Sequence, residues 1–271
     1  MNKELLKKIL LPLVVFFVII QIWSTIATFV EDFPTPTDTY ITAVGGETSS
    51  GDEFEGVFAD PFYIENKDDK GIFWQILASL QRVFAGFLLA IIVGVPLGLA
   101  IGMSKNAKYA FDPFIQIFKP VSPLAWLPLL LFIFQDINMT AISTIFITSI
   151  WPIIINTALG VRSVSNDYMN VAKVLQFTPM EKITKIILPV AVPFIFTGMR
   201  LSLGIAWLVI VAAEMLTGGI GIGFWIWDEY NNLAYHNIII GILIVGVVGF
   251  ILDLVMGKVA DYFDYRKKGR S

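Results

Sequence analysis

Cysteine is absent from the 271 residues and histidine occurs once, at His236. No disulfide, thiolate metal site or cysteine nucleophile can form, and a single imidazole cannot assemble a His-based metal centre. The G-x-x-x-x-G-K-[ST] run of a P-loop is missing, so the chain does not bind ATP that way, and no H-E-x-x-H zinc motif occurs. Carboxylates at membrane depth are not paired, which leaves no catalytic constellation for an intramembrane enzyme and no obvious proton relay for a secondary transporter. A clear inverted repeat is lacking too. Charged residues make up only 15% of the chain. Whatever work the protein does, its energy must come from elsewhere.

Hydrophobic residues, by contrast, reach 56% and the mean hydropathy is +0.75, far above a soluble domain and enough for several spans of about 20 residues. Six apolar runs can be walked in order: 9–30, 76–103, 111–135, 139–160, 189–216 and 238–256. The first follows Lys3, Lys7 and Lys8 with no small-residue cleavage site after it, and is read as a retained helix. Pro113, Pro120, Pro123 and Pro128 break the third and Pro152 interrupts the fourth. Proline inside a span frees carbonyls that only neighbouring groups or a wet cavity can satisfy, so spans three to five are expected to face a protein interior or pathway.

Lys and Arg are distributed unevenly across the short connections. With the N-terminus inside, the inner segments 1–8, 104–110, 161–188 and 257–271 carry fourteen basic residues, while the short outer loops 136–138 and 217–237 carry none. The positive-inside rule therefore puts both termini and segment 162–188 in the cytoplasm. The one long outer loop, Glu31 to Lys70, holds eleven carboxylates against Lys67 and Lys70, a net of −9 that leaves +6 for the rest of a −3 chain. Its Gly45-Gly46 and Ser49-Ser50-Gly51 steps read as a solvated, partly irregular excursion, with a docking or lid surface as the sharper alternative. Gly218-Gly219-Ile220-Gly221-Ile222-Gly223 mimics a nucleotide fingerprint but follows a membrane helix, not a strand, and reads as a flexible or closely packed outer loop.

The polar segment 162–188 is the anomaly. Tyr168, Val171, Ala172 and Leu175 recur at helical spacing, Gln176-Phe177-Thr178-Pro179 reads as a break, and a second short helix continues to Leu188-Pro189. This is the pattern of a docking element presented to a partner outside the membrane.

These residues, with Ile187-Leu188-Pro189, Gly198-Met199-Arg200 and Ala212-Ala213-Glu214, resemble the permease subunit of a bacterial type I ABC importer. That family carries an E-A-A-x-x-x-G motif followed by I-x-L-P. Here Asn170 stands at the Glu position, Val171 and Ala172 at the two Ala positions, and Gln176 at the Gly. Asn-Val-Ala in place of Glu-Ala-Ala, together with 71–83, 120–128, 147–153 and 221–230, is similar to the nitrate, bicarbonate and cyanate permeases. Aliphatic sulfonate and taurine permeases are the next relatives.

The resemblance implies an all-α membrane protein of six transmembrane helices with the type I importer permease fold. It implies a division into an N-terminal tail and first span (1–30), an acidic extracytoplasmic loop (31–75), a permease core (76–257) and a basic cytoplasmic tail (258–271). Tyr168, Asn170, Val171, Ala172, Leu175, Gln176, Phe177 and Thr178 would form the coupling helix and its exit. The implied function is import of a small oxyanion, nitrate or nitrite first, with bicarbonate, cyanate or sulfonate as alternatives. The implied partners are two ABC ATPase subunits carrying ATP and Mg, a second copy of this permease, an extracytoplasmic solute-binding protein and the bacterial inner membrane. This chain itself would be non-catalytic, binding no cofactor, metal or nucleic acid.

Candidate pathway residues are the polar groups at depth. Arg200 lies eleven residues past Pro189, roughly 16 Å along a helix and near the midplane of a core about 30 Å thick. It either adds positive potential to an anion path or pairs structurally with carbonyls or a carboxylate. Ser122, Trp126, Asn156, Ser202 and Trp207 supply further polar groups, each also suited to helix–helix contact, as are Ser149 and Thr157. Arg82 and Glu214, at similar depths on oppositely running helices, are expected to form a structural ion pair.

Overall fold

A computed structural model describes residues 3–30, 32–48, 51–65 and 70–263. The basic tail expected over 258–271 lies outside the described residues from 264 onward. The chain divides into two units, 1–75 with 225–244, and 76–224 with 245–271.

In the first unit, α1 (Lys3–Phe29) is apolar on every side: none of its hydrophobic window is buried in the protein. Such a helix belongs in lipid. The acidic segment after it is more ordered than its composition suggests. Thr35 caps α2 (Pro36–Val44) by accepting the Asp38 N–H at 3.1 Å and donates its own hydroxyl to Asp38 Oδ2 at 2.6 Å. Strands β1 (Gly46–Glu47) and β2 (Glu53–Phe54) then pair antiparallel. The Trp74 indole donates to Phe62 O at 3.1 Å, and Gly71 N to Tyr63 O at 2.9 Å. The expected partly irregular excursion thus carries a short helix and a two-stranded hairpin among turns. Its carboxylates dominate the composition, yet Asp38, Thr39, Thr42 and Thr48 are buried.

In the second unit, helices α3 (Ile72–Met103, from Ile76), α6 (Ile137–Arg162), α9 (Leu188–Thr217) and α11 (Tyr235–Phe263, from Val245) are each long enough to span. Between α3 and α6 lie α4 (Lys105–Phe118) and α5 (Pro123–Phe134), bent by 96° at a short break. Together with α1 this makes five spans, or six if the bent pair counts as one. The break falls at Pro120 and Pro123, where missing donors and fixed φ angles stop a helix from continuing. Helices α3 and α6 meet over small residues. A Cβ at Gly98 would sit 2.6 Å from the Thr157 Cβ, and one at Gly198 would sit 2.9 Å from Pro152 O on the α6–α9 side. Without a hydrophobic drive in lipid, such close backbone approach is what dispersion packing requires. The shared core holds Ile145, Ile153, Ile154 and Ile210, all fully buried or nearly so.

Candidate functional site

Three polar constellations interrupt this apolar framework. The first is the predicted docking segment. Ser165 caps α7 (Asn166–Val174), and the helix ends in a Schellman motif: Gln176 N donates to Lys173 O at 3.1 Å and Phe177 N to Ala172 O at 2.9 Å. Gln176 adopts φ 54°, the left-handed conformation that this motif demands. That explains why the resembled motif has glycine there. Thr178 and Glu181 then form a capping box over α8 (Pro179–Lys182), and Lys185 donates to Glu181 at 2.8 Å with its ammonium 4.9 Å from the Phe177 ring centre. A π-helical turn, Ile183–Ile187, leads into α9.

Of the eight residues singled out here, the structure exposes Tyr168, Val171 and Leu175, each more than half open to solvent, along with Asn170, Gln176 and Thr178. Phe177 is half-buried beneath Lys185. Ala172 is fully buried and turned into its own chain, so its small size serves internal packing. Val174, 82% exposed, completes the apolar face and was missed from sequence. Its signal was available, since it precedes Leu175 on the last turn of the helix.

The second constellation ties α3 to α9. Glu214 has no exposed surface. It accepts from Ser79 Oγ at 2.9 and 2.8 Å, from Arg82 Nη1 at 2.6 Å and from Gly223 N at 3.1 Å. Arg82 also donates to Asn138 Oδ1 at 2.8 Å and Ile220 O at 2.6 Å, and Ser79 Oγ accepts from Ile222 N at 3.0 Å. The buried carboxylate and guanidinium are thus both paired and hydrogen-bonded, the condition under which buried charges are tolerated. The glycine run serves this network: a Cβ at Gly221 would collide with the Glu214 carboxylate, and one at Gly223 with the Val211 carbonyl. It is a closely packed loop around a carboxylate.

The third is a cavity of about 480 Å³ between the α4–α5 break, the middle of α6 and α9. It gathers Ser122, Trp126 and Asn156 from the candidate pathway set, with Trp151 and Lys119 besides. Ser122 is the N-cap residue of α5 yet makes no side-chain capping bond. Asn156 donates to Pro152 O at 2.9 Å, occupying a carbonyl in the turn around that proline.

The other three candidates lie elsewhere and have their donors engaged. Trp207 Nε1 donates to Val245 O at 2.9 Å, and Ser202 Oγ donates to Ser149 O. Arg200 grips Asp253 with Nε and Nη2 at 2.7 and 2.6 Å. That pair is half-exposed on the chain, at 48% and 50% of the side chains, and not enclosed as a cation at depth would suggest. Among the described residues no cluster of three or more His, Cys, Asp or Glu side chains is arranged to hold a metal ion.

Comparison with known proteins gives this geometry its setting. Over 201 residues, 74% of this chain and 72% of the relative, the sequence is 52% identical to the nitrate import permease protein NrtB of Leptolyngbya laminosa. It is 48% identical over 194 residues, 71% and 69% of the two chains, to the bicarbonate transport system permease protein CmpB of Synechocystis. A solved inward-facing MetNI methionine ABC transporter shares the fold, with a TM-score of 0.60 at 14% identity over 71% of this chain and 95% of that one. Residues 73–269 match the model of the binding-protein-dependent transport system inner membrane component. With most of its length inside that match, including the cavity, the buried ion pair and the docking segment, this chain belongs to the family of multi-pass inner membrane permeases of binding-protein-dependent transport systems.

Proposed function

We propose that this permease imports a small oxyanion, nitrate or nitrite first, as the non-catalytic subunit of an ATP-driven complex. The observation that carries the substrate class is the 52% identity to a nitrate import permease over 201 residues. The cavity supports it, because its lining includes a cation and no carboxylate, a field of the right sign for an anion. Bicarbonate is the second reading, favoured by 48% identity to a bicarbonate permease.

Two copies of the chain form the path and two ABC ATPases hold ATP and Mg. Each ATPase receives the face of Tyr168, Val171, Val174 and Leu175, an apolar patch that has no role in a free chain. A solute-binding protein delivers the anion from outside, where the acidic segment 31–75 lies. The permease core spans 76–257, and both termini are cytoplasmic, in keeping with the Lys and Arg distribution. ATP binding closes the ATPases, draws the two α7 helices together and opens the path outward; hydrolysis resets it.

Reconstitution with the ATPases and binding protein in liposomes tests this. The expected result is ATP-dependent uptake of labelled nitrate or nitrite. Uptake of bicarbonate alone selects the second reading, and uptake by the permease without ATPase overturns the whole scheme.

A further inference from the structure

Lys119 sits at the break between α4 and α5, and it is the sole ionisable residue among those lining the 480 Å³ cavity. Lys119 is exposed on the single chain, and the cavity it borders lies along the middle of the spanning helices. Thr148 and Trp151 lie eleven and fourteen residues into the 26-residue helix α6, about 17 and 21 Å along a helix about 39 Å long. Leu201 and Ile205 are similarly central on α9.

A cation at such depth requires a carboxylate, carbonyls or a wet path. Lys119 forms no salt bridge among the described residues, whereas Arg82 on α3 is held by Glu214 and Arg200 on α9 by Asp253. The neighbouring donors are uncommitted in the same way. Ser122 makes no capping bond, and no hydrogen bond within the described residues engages the indole N–H of Trp126 or Trp151. The walls around them, Ile147, Ile155, Leu201 and Ile205 among them, are apolar. They lower the local dielectric and strengthen the pull of one positive charge on an anion.

We propose that Lys119 is the charge-selecting residue of the translocation path, binding the transiting oxyanion in this cavity with help from the Ser122 hydroxyl and the Trp126 and Trp151 indole N–H groups. This rests on the oxyanion-importer reading above and names its pathway cation as Lys119 in place of Arg200. The bent α4–α5 pair brings Lys119 to the cavity wall, and the paired Arg200 stays structural. A small anion leaving its binding protein would exchange hydration for these donors and pass on, because one ammonium and a few neutral donors hold it only weakly.

The chain contains no cysteine, so Lys119→Cys can be labelled uniquely on this subunit in the assembled complex with ATPases and binding protein. One preparation is divided between an aminoethyl methanethiosulfonate, which restores a positive charge, and a neutral methyl methanethiosulfonate. Both halves are already assembled, so folding is not in question. Nitrate uptake in the aminoethyl half is expected to exceed the methyl half by tenfold or more. Equal uptake in the two halves overturns the assignment and leaves Lys119 to lipid headgroups. The larger reading fails separately, if the unmodified wild-type complex takes up no oxyanion at all. As a second readout, saturable quenching of tryptophan fluorescence by nitrate should be present in wild type and weakened in Lys119→Met. Undiminished quenching in Lys119→Met also overturns it.

Discussion

The network around Glu214 and the polar segment 162–188 are both departures from an apolar chain, yet they solve the problem of polarity in opposite ways. Where α3 meets α9, the Arg82–Glu214 pair is turned inward and satisfied: Glu214 alone receives bonds from Ser79, Arg82 and Gly223. In segment 162–188 the polar groups satisfy the helix ends through caps, and the exposed side chains include an apolar set: Tyr168, Val171, Val174 and Leu175. A buried network is a property of one folded chain. An exposed apolar face on a polar helix is incomplete until something covers it. The first should matter to folding, the second to assembly.

Substitutions can break that contrast. Glu214→Ala strands the Arg82 guanidinium in a site only 9% open and should cost about 3–5 kcal/mol. The expected outcome is loss of membrane-inserted protein and of a cooperative thermal transition in detergent. The paired change Arg82→Met/Glu214→Met should recover much of both, and normal yield from Glu214→Ala would show that the network is dispensable.

Leu175→Arg, at the other region, should leave the yield and melting of the permease unchanged while cutting the co-purified ATPase tenfold or more, about 1.4 kcal/mol of affinity. Retained ATPase would remove the docking role from this face. Ala172→Arg is expected to damage the permease itself, because that position has no exposed surface, so the two arginines separate docking from folding. Gln176→Gly sharpens the comparison from the stabilising side. It relieves a non-glycine residue at φ 54° and should raise stability by about 1 kcal/mol with the ATPase still bound. No rise in the melting temperature would mean that the Gln176 side chain compensates.

The smallest effect concerns Glu229 on α10 (Ile222–Asn231), in the first unit. Burial raises its carboxyl above the ordinary 4.5, opposed by the Asn237 amide that donates to it at 2.9 Å. The folded state therefore holds this proton more tightly than the unfolded one. Stability is full below pH 4.5 and declines as pH rises through the raised value. Melting curves of Glu229→Gln should lack that decline, and identical curves for variant and wild type would discount it.

The spans and the short capped helices of segment 162–188 were legible because hydropathy, proline and helical period are local properties of the chain. Six apolar runs became five spans and a bent pair, broken where Pro120 and Pro123 stand. Within the acidic segment, α2 and the β1–β2 hairpin were not singled out, because carboxylates dominate a composition that also holds the buried Thr39, Thr42 and Thr48. Within the candidate site, residue type pointed to polar groups at depth but could not say which were already engaged. Trp126 and Trp207 are the same residue in similar runs, and one lines a cavity while the other donates to Val245. Lys119 was overlooked although a lone lysine inside a proline-broken span was a signal that could have found it.

By itself, then, the sequence determined that this is a multi-pass membrane protein with no P-loop or metal motif of its own, a polar helix between apolar runs and an uneven charge distribution, because each of these follows from composition and spacing along the chain. Only the tertiary structure decided which charges are free. Arg82 meets Glu214 across 132 residues and Arg200 meets Asp253 across 53, pairings that depend on helix packing and leave no trace in local pattern. The same packing turned Ala172 inward, folded the glycine run around a carboxylate and left Lys119 facing the cavity.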